Sequence, residues 1–111
     1  MIENCIFCKI IEKEIPSSII KQTDHALVIK DINPKATIHY LIIPKVHFSD
    51  LSSTTNDNFI YIDKSMLLAK ELSKELNISA FRLVINNGKD AGQCVFHFHI
   101  HFLSGKSIPS F

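Results

Sequence analysis

Apolar positions along the chain change spacing several times, and each change marks a new element. Ile6, Phe7, Ile10 and Ile11 share one helical face, and the segment Glu14-Ile15-Pro16 follows closely enough to end that short helix. Residues Ile19 to Lys21, Ala26 to Lys30 and Ile38 to Ile43 are rich in β-branched and aromatic side chains, with Asp24 and Asn33-Pro34 at the turns. This predicts a three-strand antiparallel meander. Polar Ser52-Ser53-Thr54-Thr55-Asn56 offers several N-cap candidates, after which Phe59, Ile62, Met66, Ala69, Leu72 and Leu76 recur at helical spacing as far as Asn77. Phe81, Leu83 and Ile85 then alternate with Arg82, Val84 and Asn86, predicting a strand that runs into the loop Asn87-Gly88-Lys89-Asp90-Ala91-Gly92. Val95 to Leu103 predicts the last strand. The expected fold is α+β: about five antiparallel strands with one short N-terminal helix and one long helix packed against the sheet.

Size and composition narrow this picture. The 111 residues fit one domain, 1–111, without a linker long enough to separate two, and 46% are hydrophobic. A chain this short buries proportionally less surface than a larger one, so a partner subunit would help it. Lys plus Arg number 12 against 11 Asp plus Glu, scattered without a basic cluster. Nucleic acid is therefore not the default ligand. The start Met1-Ile2-Glu3-Asn4-Cys5 lacks the features of a signal peptide, and no apolar run reaches membrane-spanning length, so the expectation is a cytoplasmic protein that engages no membrane. Two of the three cysteines form Cys5-x-x-Cys8, which in a reducing compartment points to metal binding or redox chemistry over a disulfide framework. The pair lies outside any βαβ pattern, which argues against a thioredoxin-like role.

The densest chemistry lies in His97-Phe98-His99-Ile100-His101. On a strand the three imidazoles project to one side, while Phe96, Phe98, Ile100 and Phe102 project to the other and anchor the register. Single histidines are ordinary, but three of the chain's six at strict alternation are not easily dismissed. They span about 13 Å at strand rise, too far for all three to meet one ion comfortably. Nucleophilic and acid–base chemistry is the better reading, with one neutral imidazole attacking while its neighbours fix its tautomer and bind developing charge. This suits reactions at phosphorus. His25, with no evident partner, reads as a surface residue.

The run His97 to Leu103 resembles the signature of the histidine triad family, and the chain is similar to its nucleotide-binding branch. The likeness extends to Cys5-Ile6-Phe7-Cys8-Lys9-Ile10-Ile11, Glu14-Ile15-Pro16, Asp31-Ile32-Asn33-Pro34, the segment His39 to His47, Asn86-Asn87-Gly88 and Ala91-Gly92-Gln93. It implies that His99 attacks the α-phosphorus of a purine nucleotide substrate, forming a nucleotidyl-histidine that water hydrolyses after an amine departs. The carbonyl of His97 would accept from His99, while His101 and His39 bind phosphate and complete the site. Ile6, Phe7, Ile10 and Ile32 would wall the base, although Ile6 and Ile10 also fit ordinary core packing. Asp31 would accept from the ribose hydroxyls, and Asn86, Gly92 and Cys94 would face the phosphate or leaving group. Cys94 replaces a serine common in that branch, and a thiol is the weaker donor.

The resemblance also implies a structural zinc ion held by Cys5, Cys8, His47 and His97, as in bacterial-type relatives with the N-terminal cysteine pair. Two reduced thiols without metal is the alternative. A homodimer is a further implication. The function expected is a nucleoside phosphoramidase that needs no organic cofactor. The rivals are a dinucleoside polyphosphate hydrolase, a non-catalytic nucleotide-binding or interaction module, and a zinc-dependent scaffold. The tail Ser107-Ile108-Pro109-Ser110-Phe111 lacks the tryptophan of some relatives.

Overall fold

The computed structural model describes residues 2–106 and Ile108. Its elements are α1 (Ile6–Ile11), β1 (Ile19–Gln22), β2 (Ala26–Lys30), β3 (Ile38–Pro44), α2 (Phe59–Glu75), β4 (Phe81–Val84), a 3-10 turn (Lys89–Ala91) and β5 (Ile100–Ser104). The strands form one antiparallel sheet in the order β1-β2-β3-β5-β4, so the last strand inserts beside β3 at the centre. This is the expected α+β architecture. Among the described residues no helix is long and apolar enough to cross a membrane.

Strand alternation divides the core in two. Ala26, Val28, Ile42, Ile100 and Phe102 face α2 and pack on Ile62, Leu68, Ala69 and Leu72. The opposite parity carries Leu27, Ile29, Leu41 and Ile43, which pack on Phe7, Cys8 and Ile10 of α1. His39 and His101 share this second parity, since His39 pairs with Leu103 and His101 with Leu41. The short helix therefore covers the same side of the sheet as the histidines.

Several element boundaries differ from the pattern-based expectation. Helix α1 ends without help from Pro16: Lys13 takes a left-handed conformation at φ 63°, and Glu14 N–H donates to the Lys9 carbonyl at 2.8 Å. None of the residues 52–56 caps α2. Asn58 holds the N-cap position without a side-chain hydrogen bond, while Ser53 and Asp50 close a turn on each other. Phe59 and Met66 lie on the exposed side of α2 beside Ile60 and Leu67, because the apolar stripe is wider than the surface beneath it, and Leu76 is exposed at the C-cap. Its other end matches the pattern, with Asn77 left-handed at φ 54°.

The largest difference concerns the histidine strand, expected over Val95 to Leu103 and observed only from Ile100. The β3–β5 ladder stops at Ile42 opposite Ile100. Continuing it would require an N–H from Pro44, which has none. Phe98 N–H instead donates to the Phe48 carbonyl at 2.8 Å. β4 likewise ends at Val84 rather than running on through Ile85 and Asn86.

Candidate active site and metal centre

The tautomers of His39, His97 and His99 are set by backbone partners that can only donate or only accept, and that of His101 follows from His39. Lys35 N–H donates to His39 Nδ1 at 3.0 Å, so the His39 proton sits on Nε2. That Nε2–H lies 2.8 Å from His101 Nδ1 and 3.3 Å from a carboxylate oxygen of Asp31. His101 therefore accepts at Nδ1 and keeps its own proton on Nε2. His99 Nδ1–H donates to the His97 carbonyl at 2.8 Å, which leaves Nε2 with a free lone pair. His97 Nε2–H donates to the Pro44 carbonyl at 2.8 Å, leaving Nδ1 as its lone-pair nitrogen.

These assignments require neutral rings, and the surroundings supply that condition. Burial pushes all four histidines below their ordinary value, His97 and His101 down to about 4, and neighbouring imidazoles reinforce the shift in those two. The imidazoles do not form the open polar face that strand alternation suggests. His97 is fully buried and His39 and His99 nearly so, because α1 lies over them and the Phe7 ring meets His99 edge-on at 5.1 Å. Phe96, expected to anchor in the core, is half exposed. His25 is half-buried, its ring 5.5 Å from that of Tyr61.

A second cluster sits at the start of α1. Ligand atoms of Cys5, Cys8, His47 and His97 all lie within 4.8 Å of one another. Cys5 Sγ and Cys8 Sγ are 3.4 and 3.5 Å from His97 Nδ1, Cys8 Sγ is 3.4 Å from His47 Nδ1, and the two Nδ1 atoms are 3.1 Å apart. A tetrahedral ion bonded at about 2.3 Å to sulfur and 2.0–2.1 Å to nitrogen separates such atoms by about 3.5 Å (S···N) and about 3.3 Å (N···N). The four residues fit a metal. Cys8 N–H donates to Cys5 Sγ at 3.3 Å, and the Pro44 carbonyl orients His97 from behind, which is the support a ligand set needs. Burial and the neighbouring Cys5 raise the Cys8 thiol, so metal binding would displace protons there.

Between α1, β2 and the loop before β5 lies a cleft of about 1310 Å³. Ile6, Phe7, Ile10, Asp31, Ile32, Asn86, Gly92, Cys94 and His101, the nine residues expected to contact nucleotide, all line it, as do His39 and His99. Phe7 and Ile10 form a buried wall; Ile6 is half exposed and Ile32 stands almost free in solvent. Ile10 serves both core and cavity, which reconciles its two sequence readings. Asp31 accepts from Asn33 N–H at 2.8 Å, holding its carboxylate at the rim.

Pattern reasoning missed three residues here. Arg82 lines the cleft, and its parity with Val84 opposite His101 is the signal that could have placed it. Lys35 matters through its backbone N–H, which no side-chain pattern reveals. Buried Gln93 accepts from Gly88 N–H at 2.8 Å and donates to the carbonyls of Ser49 at 2.6 Å and Val95 at 3.0 Å, fixing the loop that carries Gly92 and Cys94. Gly92 has φ +99°, a conformation side chains rarely adopt, and its approach to Asn86 shapes the same rim.

The comparisons with known proteins agree with this geometry. The family profile described as "Scavenger mRNA decapping enzyme C-term binding" matches residues 4–111. An uncharacterised HIT-like protein of Synechocystis sp. is 46% identical over 107 residues, covering 96% of this chain and 94% of its own length. A histidine triad protein from Clostridium difficile superposes with TM-score 0.94 at 34% identity, covering 100% of this chain and 98% of that one. A HIT family hydrolase from Legionella pneumophila gives TM-score 0.88 at 36% identity, covering 93% and 94%. With profile, sequence relative and solved structures each spanning nearly its whole length, the chain belongs to the histidine triad family.

Proposed function

We propose that the protein is a nucleotide-binding hydrolase that cleaves the P–N bond of purine nucleoside phosphoramidates. The observation that carries this reading is the His99 tautomer: its Nδ1–H is committed to the His97 carbonyl, so Nε2 is an unprotonated nucleophile in a cleft sized for a nucleotide. His99 Nε2 attacks the α-phosphorus, the P–N bond breaks, and the amine leaves with the bonding pair and takes up a proton at the rim that carries Cys94. Water then attacks phosphorus, the P–Nε2 bond breaks, its electron pair returns to the imidazole, and the proton lost by water makes up for the one the amine took. His101 Nε2–H donates to a phosphate oxygen, and His39 holds His101 in that tautomer. Asp31 accepts from the ribose hydroxyls, and the base lies against Ile6, Phe7, Ile10 and Ile32. The Legionella neighbour, itself described as a hydrolase, supports the reaction class.

In this proposal Cys5, Cys8, His47 and His97 hold a structural zinc ion, supported by the donor set and its spacing. Such a site needs thiolates that an oxidising compartment would consume, which favours the cytoplasm. A homodimer is favoured by the exposed apolar side of α2, with Phe59, Ile60, Met66 and Leu67, and by the edge strand β4. His99→Ala tests the central claim. Turnover of an adenosine phosphoramidate should fall at least about a thousandfold while AMP binding stays within a few-fold. An unchanged rate would remove His99 from the reaction.

A further inference from the structure

Within the cleft, one imidazole proton faces two acceptors. Neutral His39 carries its only polar ring hydrogen on Nε2, because Nδ1 already accepts from Lys35 N–H at 3.0 Å. That hydrogen meets His101 Nδ1 at 2.8 Å and Asp31 Oδ2 at 3.3 Å, both measured from His39 Nε2. The other oxygen of Asp31 is taken by Asn33 N–H at 2.8 Å, which fixes the rotation of the carboxylate. The side chain of Asp31 is 17% exposed and that of His39 only 3%, so little water competes for these contacts. Burial pushes His39 and His101 below their ordinary value, and Asp31 pulls each part of the way back. The three side chains bring their donor atoms within 4.8 Å of one another, a spacing that a cation could use, but the proton that Lys35 forces onto His39 Nε2 stands in its way. The geometry suits a hydrogen-bonded chain.

We propose that Asp31 is a positioning residue for phosphate as well as a ribose acceptor, coupling the ribose hydroxyls through His39 to the Nε2–H donor of His101. The inference rests on the reading of this cleft as a nucleotide site and deepens it, without requiring that any bond be cleaved. Each ribose hydroxyl that donates to Asp31 occupies part of its acceptor capacity, so the shared His39 hydrogen is drawn more fully to His101 Nδ1. An imidazole that accepts more strongly at one nitrogen donates more strongly at the other, and a phosphate oxygen on His101 Nε2–H receives the gain. Ribose and phosphate recognition are then cooperative. Asp31→Asn reverses the polarity of the chain: Asn33 N–H claims the amide oxygen, which leaves the amide NH2 opposite His39 Nε2–H. Two donors face each other, and the His39–His101 pair is displaced.

A nucleotide without ribose hydroxyls separates the two roles of Asp31. In calorimetry on the zinc-loaded protein, Asp31→Asn should bind 2′,3′-dideoxy-AMP about fivefold more weakly than the parent chain. Simple electrostatics gives the opposite sign, since the substitution removes a negative charge near an anion. In a His39→Ala background the same substitution should no longer weaken binding, because the chain is already cut. Equal or tighter binding by Asp31→Asn, or a loss that persists without His39, overturns the coupling. The parent protein gives a second reading where a variant folds poorly. Adenosine, which has the hydroxyls and no phosphate, should shift the His101 ring nitrogens in imidazole NMR spectra, whereas saturating 2′,3′-dideoxyadenosine should leave them in place. His101 signals that move equally with both nucleosides, or with neither, overturn the coupling while leaving the nucleotide site intact. Absence of AMP binding to the parent chain defeats the nucleotide site itself, and the coupling with it.

Discussion

Removing the proposed zinc ion should cost the protein much of its stability, and the size of the loss follows from the site. Cys5, Cys8 and His97 are buried, and the donor atoms of the two cysteines stand 3.4 to 3.5 Å from the histidine nitrogens they face, with the Nδ1 atoms of His47 and His97 3.1 Å apart. In the unfolded chain His47 and His97 are separated by dozens of residues from the cysteines, so zinc binds the folded state selectively. At free zinc a thousandfold above its dissociation constant, this linkage contributes about 4 kcal/mol. For a chain of this length that corresponds to a fall in Tm of roughly 15 °C on chelation. Thermal melts by circular dichroism, with a high-affinity chelator and then with zinc restored, measure it alongside elemental analysis. Cys8→Ala should melt near the chelated wild type, and the chelator should then have almost no further effect, because both perturbations remove the same interaction. Substoichiometric zinc after reconstitution, with a melt that neither chelator nor Cys8→Ala moves by more than about 2 °C, would refute the site.

Three further outcomes follow from particular contacts. Cys94→Ser should raise turnover of an alkylamine phosphoramidate several-fold, since a hydroxyl is the better donor at the leaving-group rim; an unchanged or lower rate in steady-state assays contradicts that role. Gly105→Ala should destabilise by about 3 kcal/mol, lowering Tm by roughly 10 °C or more, because Gly105 has φ +92° and an added Cβ would lie 2.6 Å from Thr37 Cβ; a shift under about 3 °C speaks against the backbone geometry. His101 falls from its ordinary 6.5 to about 4, chiefly through burial and then through its imidazole neighbours. Between those values the unfolded chain binds a proton that the folded chain does not, so stability rises with pH across the window and is lost as pH falls, by about 1–3 kcal/mol. Urea melts at pH 4.5, 5.5 and 7 should show a slope to which His39, His97 and His99 also contribute, and His101→Asn should make it shallower; an equal slope in both chains assigns it wholly to the other histidines.

What the sequence revealed and what it hid have physical explanations. The strand at Ile38 to Ile43 was legible from its β-branched and aromatic residues, which feed the cores on both faces of the sheet, and the helix from Phe59 to Leu76 from its repeating apolar spacing. Membership of the cleft came from the family resemblance rather than from pattern, and the nine residues it named, spread from Ile6 to His101, all line the cleft. The extent of β5 was not legible, since it depends on a proline 56 positions away from Ile100 that withholds an N–H. Burial of the imidazoles was hidden for a similar reason: strand parity says which way His99 points but not that Phe7 of α1 lies over it. Phe59 and Met66 share the helical spacing yet stay exposed, because spacing reports an apolar stripe, while the packing beneath decides how much of it is covered. Backbone partners such as Lys35 N–H leave no mark on side-chain pattern at all.

Pro44 links these two sites. It ends the ladder, so residues 97–99 leave the strand and Phe98 turns its N–H to the Phe48 carbonyl. Its own carbonyl, freed at the strand end, takes the His97 Nε2 proton and thereby directs Nδ1 at the thiols. The His97 carbonyl in turn takes the His99 Nδ1 proton and leaves Nε2 free. One residue thus serves the metal centre through its side chain and the nucleophile through its backbone. The coupling between them is positional. On the proposed reading His99 needs only the His97 carbonyl in place, and a metal held by residues from the start of α1, the loop after β3 and the segment before β5 would pin that carbonyl from three directions. A metal held there, as proposed, would bear on His99 by restricting where a peptide group can move, although none of its four ligands lines the cleft.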